Sequence, residues 1–362
     1  IQLEKSLKKI TSNALVRLDK DISPINILIK NFKQLIKSDL KSLEKFYQLI
    51  EDCRKFGTLA FAHAARAGFV AVTLLKSLVK LGILSQDRML QFQASITTVV
   101  SDFQLALLNN LSVDKLIKEF GHLRPGTYDV NQLAYWENPD FYFNTGKLSN
   151  QKKENKVNKF VFNQDELEGF KHILNELETK IEVHDFIKYL EKAIQAREST
   201  KFNFTRNLST ALDFMIKCGI EELELTREEV GYLIFDDIKA LQKKQLNKKQ
   251  LKDFVKFREN EFQEKHLAKL PSFICNENDF VGYEQEKSEA NFITRLNIVA
   301  DLLFIKSNDK NVIKGKIVAI QNADPGFDWI FSHNIAGLVT QYGGVNSHMA
   351  IRCAELGIPA AI

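Results

Sequence analysis

Proline is scarce, at six residues in 362, and glycine is little commoner at 16. That excludes a collagen-like chain and a Pro/Gly-rich low-complexity one, and leaves few places for sharp turns. The four cysteines, Cys53, Cys218, Cys275 and Cys353, stand far apart, with no Cys-x-x-Cys pair and no histidine at ligand spacing. This argues against a disulfide framework and a structural zinc site, and for reduced thiols in a cytoplasmic protein. Neither sign of charge dominates. Fifty Lys and Arg against 46 Asp and Glu leave a net charge of +4, and the basic residues are scattered, so no nucleic-acid partner is expected. Long apolar runs are missing too. Residues 69–84 form the longest, but Lys76 and Lys80 interrupt it and it is too short to span a bilayer. Lys5, Lys8, Lys9 and Arg17 spoil any signal-peptide core at the start. The expectation is a soluble protein with no membrane partner.

What is present is a 44% hydrophobic, 27% charged chain long enough to bury a large core in several domains. From residue 1 to 120 apolar residues recur at three and four, as in Ile25, Leu28, Phe32, Leu35 and Ile36, which is helix-bundle patterning. Residues 59–84 carry apolar side chains on most faces and read as a buried central helix. Pro125, Gly126, Pro139, Gly146 and a Lys/Asn/Gln run mark 121–160 as a long loop. Helical periodicity returns from Asp165 to Leu270, with a capping box at Thr226 and Glu229. A polar, acidic stretch over 271–290 has the composition of a linker. Beyond it, β-rich runs at 296–305, 316–321 and 335–341 alternate with helical stretches at 327–333 and 347–356. The fold class expected is multidomain: a large all-α domain over 1–270, then a small α/β domain over 291–362. A start without Met and an end in the apolar run 358–362 suggest a piece of a longer protein, with the last domain cut short.

One stretch concentrates chemistry: a buried strand from Gly337, a Gly343-Gly344 turn, then a helix opening at Ser347 with His348 in its first turn. The glycines permit close approach of another molecule and Ser347 can cap the helix. A neutral imidazole there is a nucleophile, and the free amides and dipole of the helix start favour an anionic phosphoryl group on it. On residue types alone, an ordinary strand-to-helix connection remains the alternative.

This stretch resembles the swivelling phosphohistidine domain of phosphoenolpyruvate-utilising enzymes and dikinases, whose signature runs Gly-Gly, two residues, Ser or Thr, His, Ala-Ile and an Ala-Arg-Glu-x-Gly-Ile-Pro tail. The upstream segment from Gly315 to Phe331 is similar to the opening strand and Asp-Pro-Gly turn of that domain. The resemblance implies that His348 is the phosphoryl carrier, Ser347 its neighbouring hydroxyl, and Gly343 and Gly344 the loop around the phosphate. The Arg of the tail falls on Ala354 here. Arg352 lies two residues earlier, about 160° away round an ideal helix, which puts that phosphate contact in doubt.

The order of helical region and histidine domain resembles the rifampicin phosphotransferases more than pyruvate phosphate dikinase. Residues Phe120 to Asp129 are similar to a Tyr-Gly-His-Arg-Gly-Pro-Gly-Glu segment of the helical domain there, with departures at Leu123, Arg124 and Thr127, and Ala196 to Lys201 is similar to another of its motifs. His122, Arg124, Tyr128 and Asp129 then form either a substrate-binding loop or a helix C-cap whose polar groups satisfy the backbone. Arg197 and Lys201 share a helix face at i,i+4, either receiving an anion or forming a solvated basic face. Glu221, Glu222, Glu224, Asp236 and Asp237 read as solvated surface, not metal ligands, and His63 as an interior or pocket residue.

The expectation is therefore a fragment of an ATP-dependent dikinase-type phosphotransferase. ATP and Mg2+ would bind outside this stretch, on a nucleotide-binding domain of the same full-length protein, so the fragment alone would be inactive. The acceptor would be a small molecule or glycan-like compound, with the 271–290 stretch as a candidate hinge. The alternatives are a phosphoenolpyruvate synthase or pyruvate phosphate dikinase relative, and a non-catalytic helical interaction module with a degenerate histidine domain.

Overall fold

The computed structural model describes residues 2–97, 99–109, 111–126, 128–143, 160–176, 181–265, 274–280, 289–294, 296–305, 313–345 and 347–362. Most of the expected linker and hinge, 271–273 and 281–288, lies outside them, as does much of the 121–160 loop. In chain order the helices are α1 (Gln2–Ile22), α2 (Pro24–Ile36), α3 (Ser42–Asp52), α4 (Thr58–Lys80), α5 (Gln86–Ser95), α6 (Val99–Leu108), α7 (Val113–Phe120), α8 (Pro139–Tyr142), α9 (Gln164–Glu176), α10 (Val183–Glu221), α11 (Arg227–Val230), α12 (Phe235–Gln242) and α13 (Lys248–Lys265). Strands β1 (Leu302–Phe304), β2 (Ile317–Asn322) and β3 (Gly337–Tyr342) follow, then α14 (His348–Leu356) and β4 (Ala360–Ala361). The chain is thus a large helical region followed by a small α/β part.

Contacts group the chain into two compact units. One takes Ile1–Leu40, Tyr47–Leu116 and Thr145–Ala211, the other Lys41–Phe46, Ile117–Asn144 and Leu212–Ile362. In the first, α4 buries Ala60, Ala64, Ala67, Gly68, Ala71, Leu75 and Leu78, spaced at three and four so that small side chains line one face. That face joins Leu18, Phe92, Phe162, Phe170, Phe186 and Leu190 in one apolar core. Leu59 and Phe69 of the same helix stay exposed, at 64% and 59%, so α4 is one-sided and not buried all round as its composition suggested. A π turn, Cys53–Gly57, joins α3 to α4, where the Thr58 hydroxyl donates to the Cys53 carbonyl at 3.1 Å. The segment Ser42–Lys80 is the one helix among the described residues long and apolar enough to cross a membrane. Glu166 receives Arg88 at 2.8 and 2.7 Å, and the Arg88 guanidinium lies 4.2 Å from the Phe160 ring centre.

In the second unit the expected capping box forms: the Thr226 amide donates to Glu229 at 2.7 Å and the Glu229 amide to the Thr226 hydroxyl at 3.2 Å. The sheet is parallel in the order β1-β2-β3-β4, with Ile317 opposite Gly337 and Leu338 opposite Ala360. The strand expected over 296–305 contracts to three residues, because only Leu302–Phe304 find partners on β2. The 327–333 stretch folds as a 3-10 helix, Pro325–His333, with the Asp324 side chain accepting from the Gly326 amide at 2.7 Å. The apolar end of the chain is indeed a strand, β4, and Asn291 and Ile362 exchange backbone hydrogen bonds at 2.9 and 3.0 Å beside it.

Candidate functional site: the opening of α14

The site grows from the end of β3. Leu338 is buried in the sheet and the chain turns at Gly343, where a Cβ would lie 2.7 Å from Ile362 and 2.8 Å from Ala323. Only glycine passes between the ends of β2 and β4 here. Gly344 has open space around it. Its carbonyl accepts from the Ser347 amide at 2.8 Å, and the Ser347 hydroxyl caps α14 by accepting from the Ala350 amide at 3.3 Å. Met349, Ala350 and Cys353 are buried, which fixes the roll of the helix and sends His348 and Arg352, at i,i+4, to another face together. Burial pushes the Cys353 thiol up to about 12, so no thiolate competes with the imidazole.

His348 Nε2 meets both carboxylate oxygens of Asp328 at 2.8 Å. Arg352 Nε stands 3.9 Å from Asp328 Oδ1, and its guanidinium lies 5.9 Å from the Phe331 ring centre. The side chains of His348, Asp328 and Arg352 are 15%, 13% and 12% exposed, enough to be reached and too little to be fully hydrated. Asp328 is the residue that sequence reasoning missed. It sits twenty positions before His348 on a 3-10 helix, and no periodicity links the two. Arg352 was visible as i+4 from His348, but the family tail drew attention to Ala354, which is exposed.

The four loop candidates part ways. Arg124 is 1% exposed, ion-paired with Asp213, and donates to the Gln132 carbonyl at 3.2 Å. Trp136 Nε1 donates to the other Asp213 oxygen at 3.0 Å. Burial pushes the Asp213 carboxyl above its usual range against the pull of Arg124. His122 is buried, Tyr128 is exposed, and Asp129 accepts from the Asn131 amide at 2.9 Å in a local turn. Glu137, bound by Arg227 at 2.6 and 3.0 Å, is pushed up by burial, yet the Arg227 hydrogen bonds, the Ala134 amide and the nearby arginine charges together hold it below the usual range.

This loop also meets the 3-10 helix that carries Asp328. A Cβ on Gly326 would fall 1.9 Å from the Arg124 carbonyl oxygen. The Tyr135 hydroxyl donates to the Gly326 carbonyl at 2.7 Å, and Trp329 packs with its ring centre 4.6 Å from that of Phe141 and 5.5 Å from that of Tyr142. In the first unit, Arg197 pairs with Glu198 at 3.4 Å and lies 5.2 Å from the Phe69 ring centre, and Lys201 is half-buried. Among the described residues no three His, Cys, Asp or Glu side chains gather as metal ligands.

Residues 312–362 match the family described as PEP-utilising enzyme, mobile domain. The rifampicin phosphotransferase of Bacillus cereus is 22% identical over 277 residues, covering 69% of this chain and 31% of the relative. The chain thus spans about a third of that relative's length.

Proposed function

From the match of residues 312–362 to the mobile domain of PEP-utilising enzymes, we propose that His348 carries a phosphoryl group from a nucleotide site to an acceptor, in an ATP-dependent phosphotransferase of the dikinase type. The observation that carries the reading is the placement of the imidazole. It opens a capped helix behind an uncrowded Gly344, with Arg352 on the same face. A ring nitrogen attacks the terminal phosphorus of the donor and the P–O bond to the leaving group breaks. The α14 amides and Arg352 offset the charge of the phosphoryl group on the ring. Arg352 then supplies, from one turn along α14, the cation that the family tail carries at the position of Ala354.

On this reading ATP and Mg2+ belong to a separate nucleotide-binding domain of the full-length protein. The helical region is the acceptor-binding part, supported by the likeness to a phosphotransferase whose name specifies rifampicin, and the acceptor is a small molecule. Arg197 and Lys201 are candidates to meet its polar groups. A cytoplasmic setting supplies the nucleotide and keeps the buried thiols reduced.

The test is intact-mass analysis of the native-length protein after incubation with ATP and Mg2+, beside His348→Ala. Acid-labile phosphate present in the first and absent in the second is expected. Equal labelling of both, or none in either, overturns the carrier assignment.

A further inference from the structure

An ionised carboxylate has no proton to give, so in the His348–Asp328 contact the hydrogen sits on Nε2 and points at the two Asp328 oxygens, each 2.8 Å away. A ring nitrogen that holds a proton has no in-plane lone pair with which to attack phosphorus. The carboxylate also occupies the space that a phosphoryl group on Nε2 would need, and both groups are anions. Resting contact and phosphorylated state are therefore exclusive at this nitrogen. We propose that Asp328 is the positioning residue of His348: it clamps the Nε2 edge of the resting imidazole and must release it before that nitrogen accepts a phosphoryl group. The proposal rests on the carrier reading for its consequence, though the clamp itself is a property of the unphosphorylated ring.

The surroundings favour a clamp that opens. Asp328 lies on a 3-10 helix whose Trp329 and Gly326 are buried and locked, so the backbone stays put and release needs only rotation of the Asp328 side chain. The charged and titratable groups facing the pair are Arg352 at 3.9 Å from α14, with Cys353 beside it and Tyr135 on the neighbouring loop. Arg352 is the cation among these described groups, and it can receive the carboxylate or the phosphoryl group in turn. On release the Nε2 proton passes to the carboxylate or to water. The lone pair thus freed forms the N–P bond, the P–O or P–N bond of the donor breaks, and its electron pair leaves with the departing group.

Potassium phosphoramidate tests this without a nucleotide domain, because it phosphorylates imidazole directly and releases ammonia. The chain is compared with Asp328→Ala, Asp328→Asn and, for background, His348→Ala, and 31P NMR separates the two ring isomers. A hydrogen bond to a charged partner is lost in Asp328→Ala, so labelling of His348 at Nε2 should run about tenfold faster. Asp328→Asn, which holds the ring without charge, should fall between. In parallel, 15N NMR of the unphosphorylated ring should show the proton on Nε2 in the native chain and a shift towards Nδ1 in Asp328→Ala. Unchanged or slower labelling at Nε2 in Asp328→Ala, or ring signals indifferent to the substitution, each overturns the clamp. Failure of ATP to label native-length protein would instead strike the carrier reading and leave the ring signals to decide the clamp.

Discussion

Two acid–base pairs in the second unit have the same chemistry and opposite fates. Arg124 and Asp213 are sealed: the arginine side chain is fully buried, it also donates to the Gln132 carbonyl, and the aspartate is shared with Trp136. His348 and Asp328 are 15% and 13% exposed, and the further cation at the aspartate, Arg352, stands beyond hydrogen-bond reach at 3.9 Å. A sealed pair holds a loop, because breaking it strands a charge away from water. A pair with a second cation beside it can exchange partners, and Arg352 stands 3.9 Å from Asp328. Burial of the basic partner separates the two, Arg124 at 0% exposed against His348 at 15%, while the aspartates are alike at 19% and 13%.

The comparison breaks first at Arg124. Arg124→Met leaves the half-buried Asp213 without its cation and should cost up to about 3 kcal/mol in denaturant unfolding, whereas the paired change with Asp213→Leu should recover most of that loss. Asp328→Ala, which removes one charge-assisted hydrogen bond and strands no cation of its own, should cost about 1–2 kcal/mol. If Arg124→Met unfolds no more easily than Asp328→Ala, burial is not what distinguishes them.

A smaller effect is expected where the pinned loop meets the 3-10 helix. Gly326→Ala drives a Cβ into the Arg124 carbonyl, a clash of backbone with backbone that no rotamer relieves. About 1–3 kcal/mol of destabilisation should follow. The two tryptophans of the chain, Trp136 and Trp329, both lie in this region, so their fluorescence should shift to the red as Trp329 gains water. Unchanged emission would mean that the loop does not hold the helix of Asp328.

Much of this was legible in the sequence where a local rule governs. The Ser347 cap, the Thr226–Glu229 box, the 348–356 helix and the strands at 317–322 and 337–342 each follow from residues within one turn or one pleat. The likeness to a mobile domain pointed to His348 for the same reason, as its motif is contiguous. Illegible were the features set by distant partners. β1 pairs only over Leu302–Phe304 with Ile317–Ala319, and Asp328 reaches His348 from a 3-10 helix twenty positions earlier. Arg124 stood out as a polar residue on a Pro/Gly loop, but nothing nearby reveals that Asp213, 89 residues on, receives it.

The finest discrimination is in acid. Against the push of burial, Arg227, the Ala134 amide and Arg124 together hold Glu137 below the usual carboxylate range, so folded protein resists its protonation. The stability it contributes is present above the unfolded value, about 4.3, and drains away as pH falls through the lower folded value. Asp213, raised by burial, has the opposite sign: the folded state takes up its proton first, so its contribution weakens as pH rises from the unfolded value towards the folded one. In this unit the two slopes oppose each other between the two ranges. Glu137→Gln should therefore lower stability at neutral pH and flatten the acid limb of a stability-against-pH curve, and Asp213→Asn should steepen that limb while lowering the whole curve. Urea titrations at half-unit pH steps across the acid range would resolve both changes, and parallel limbs in the two variants would show that neither carboxyl is perturbed by its partner.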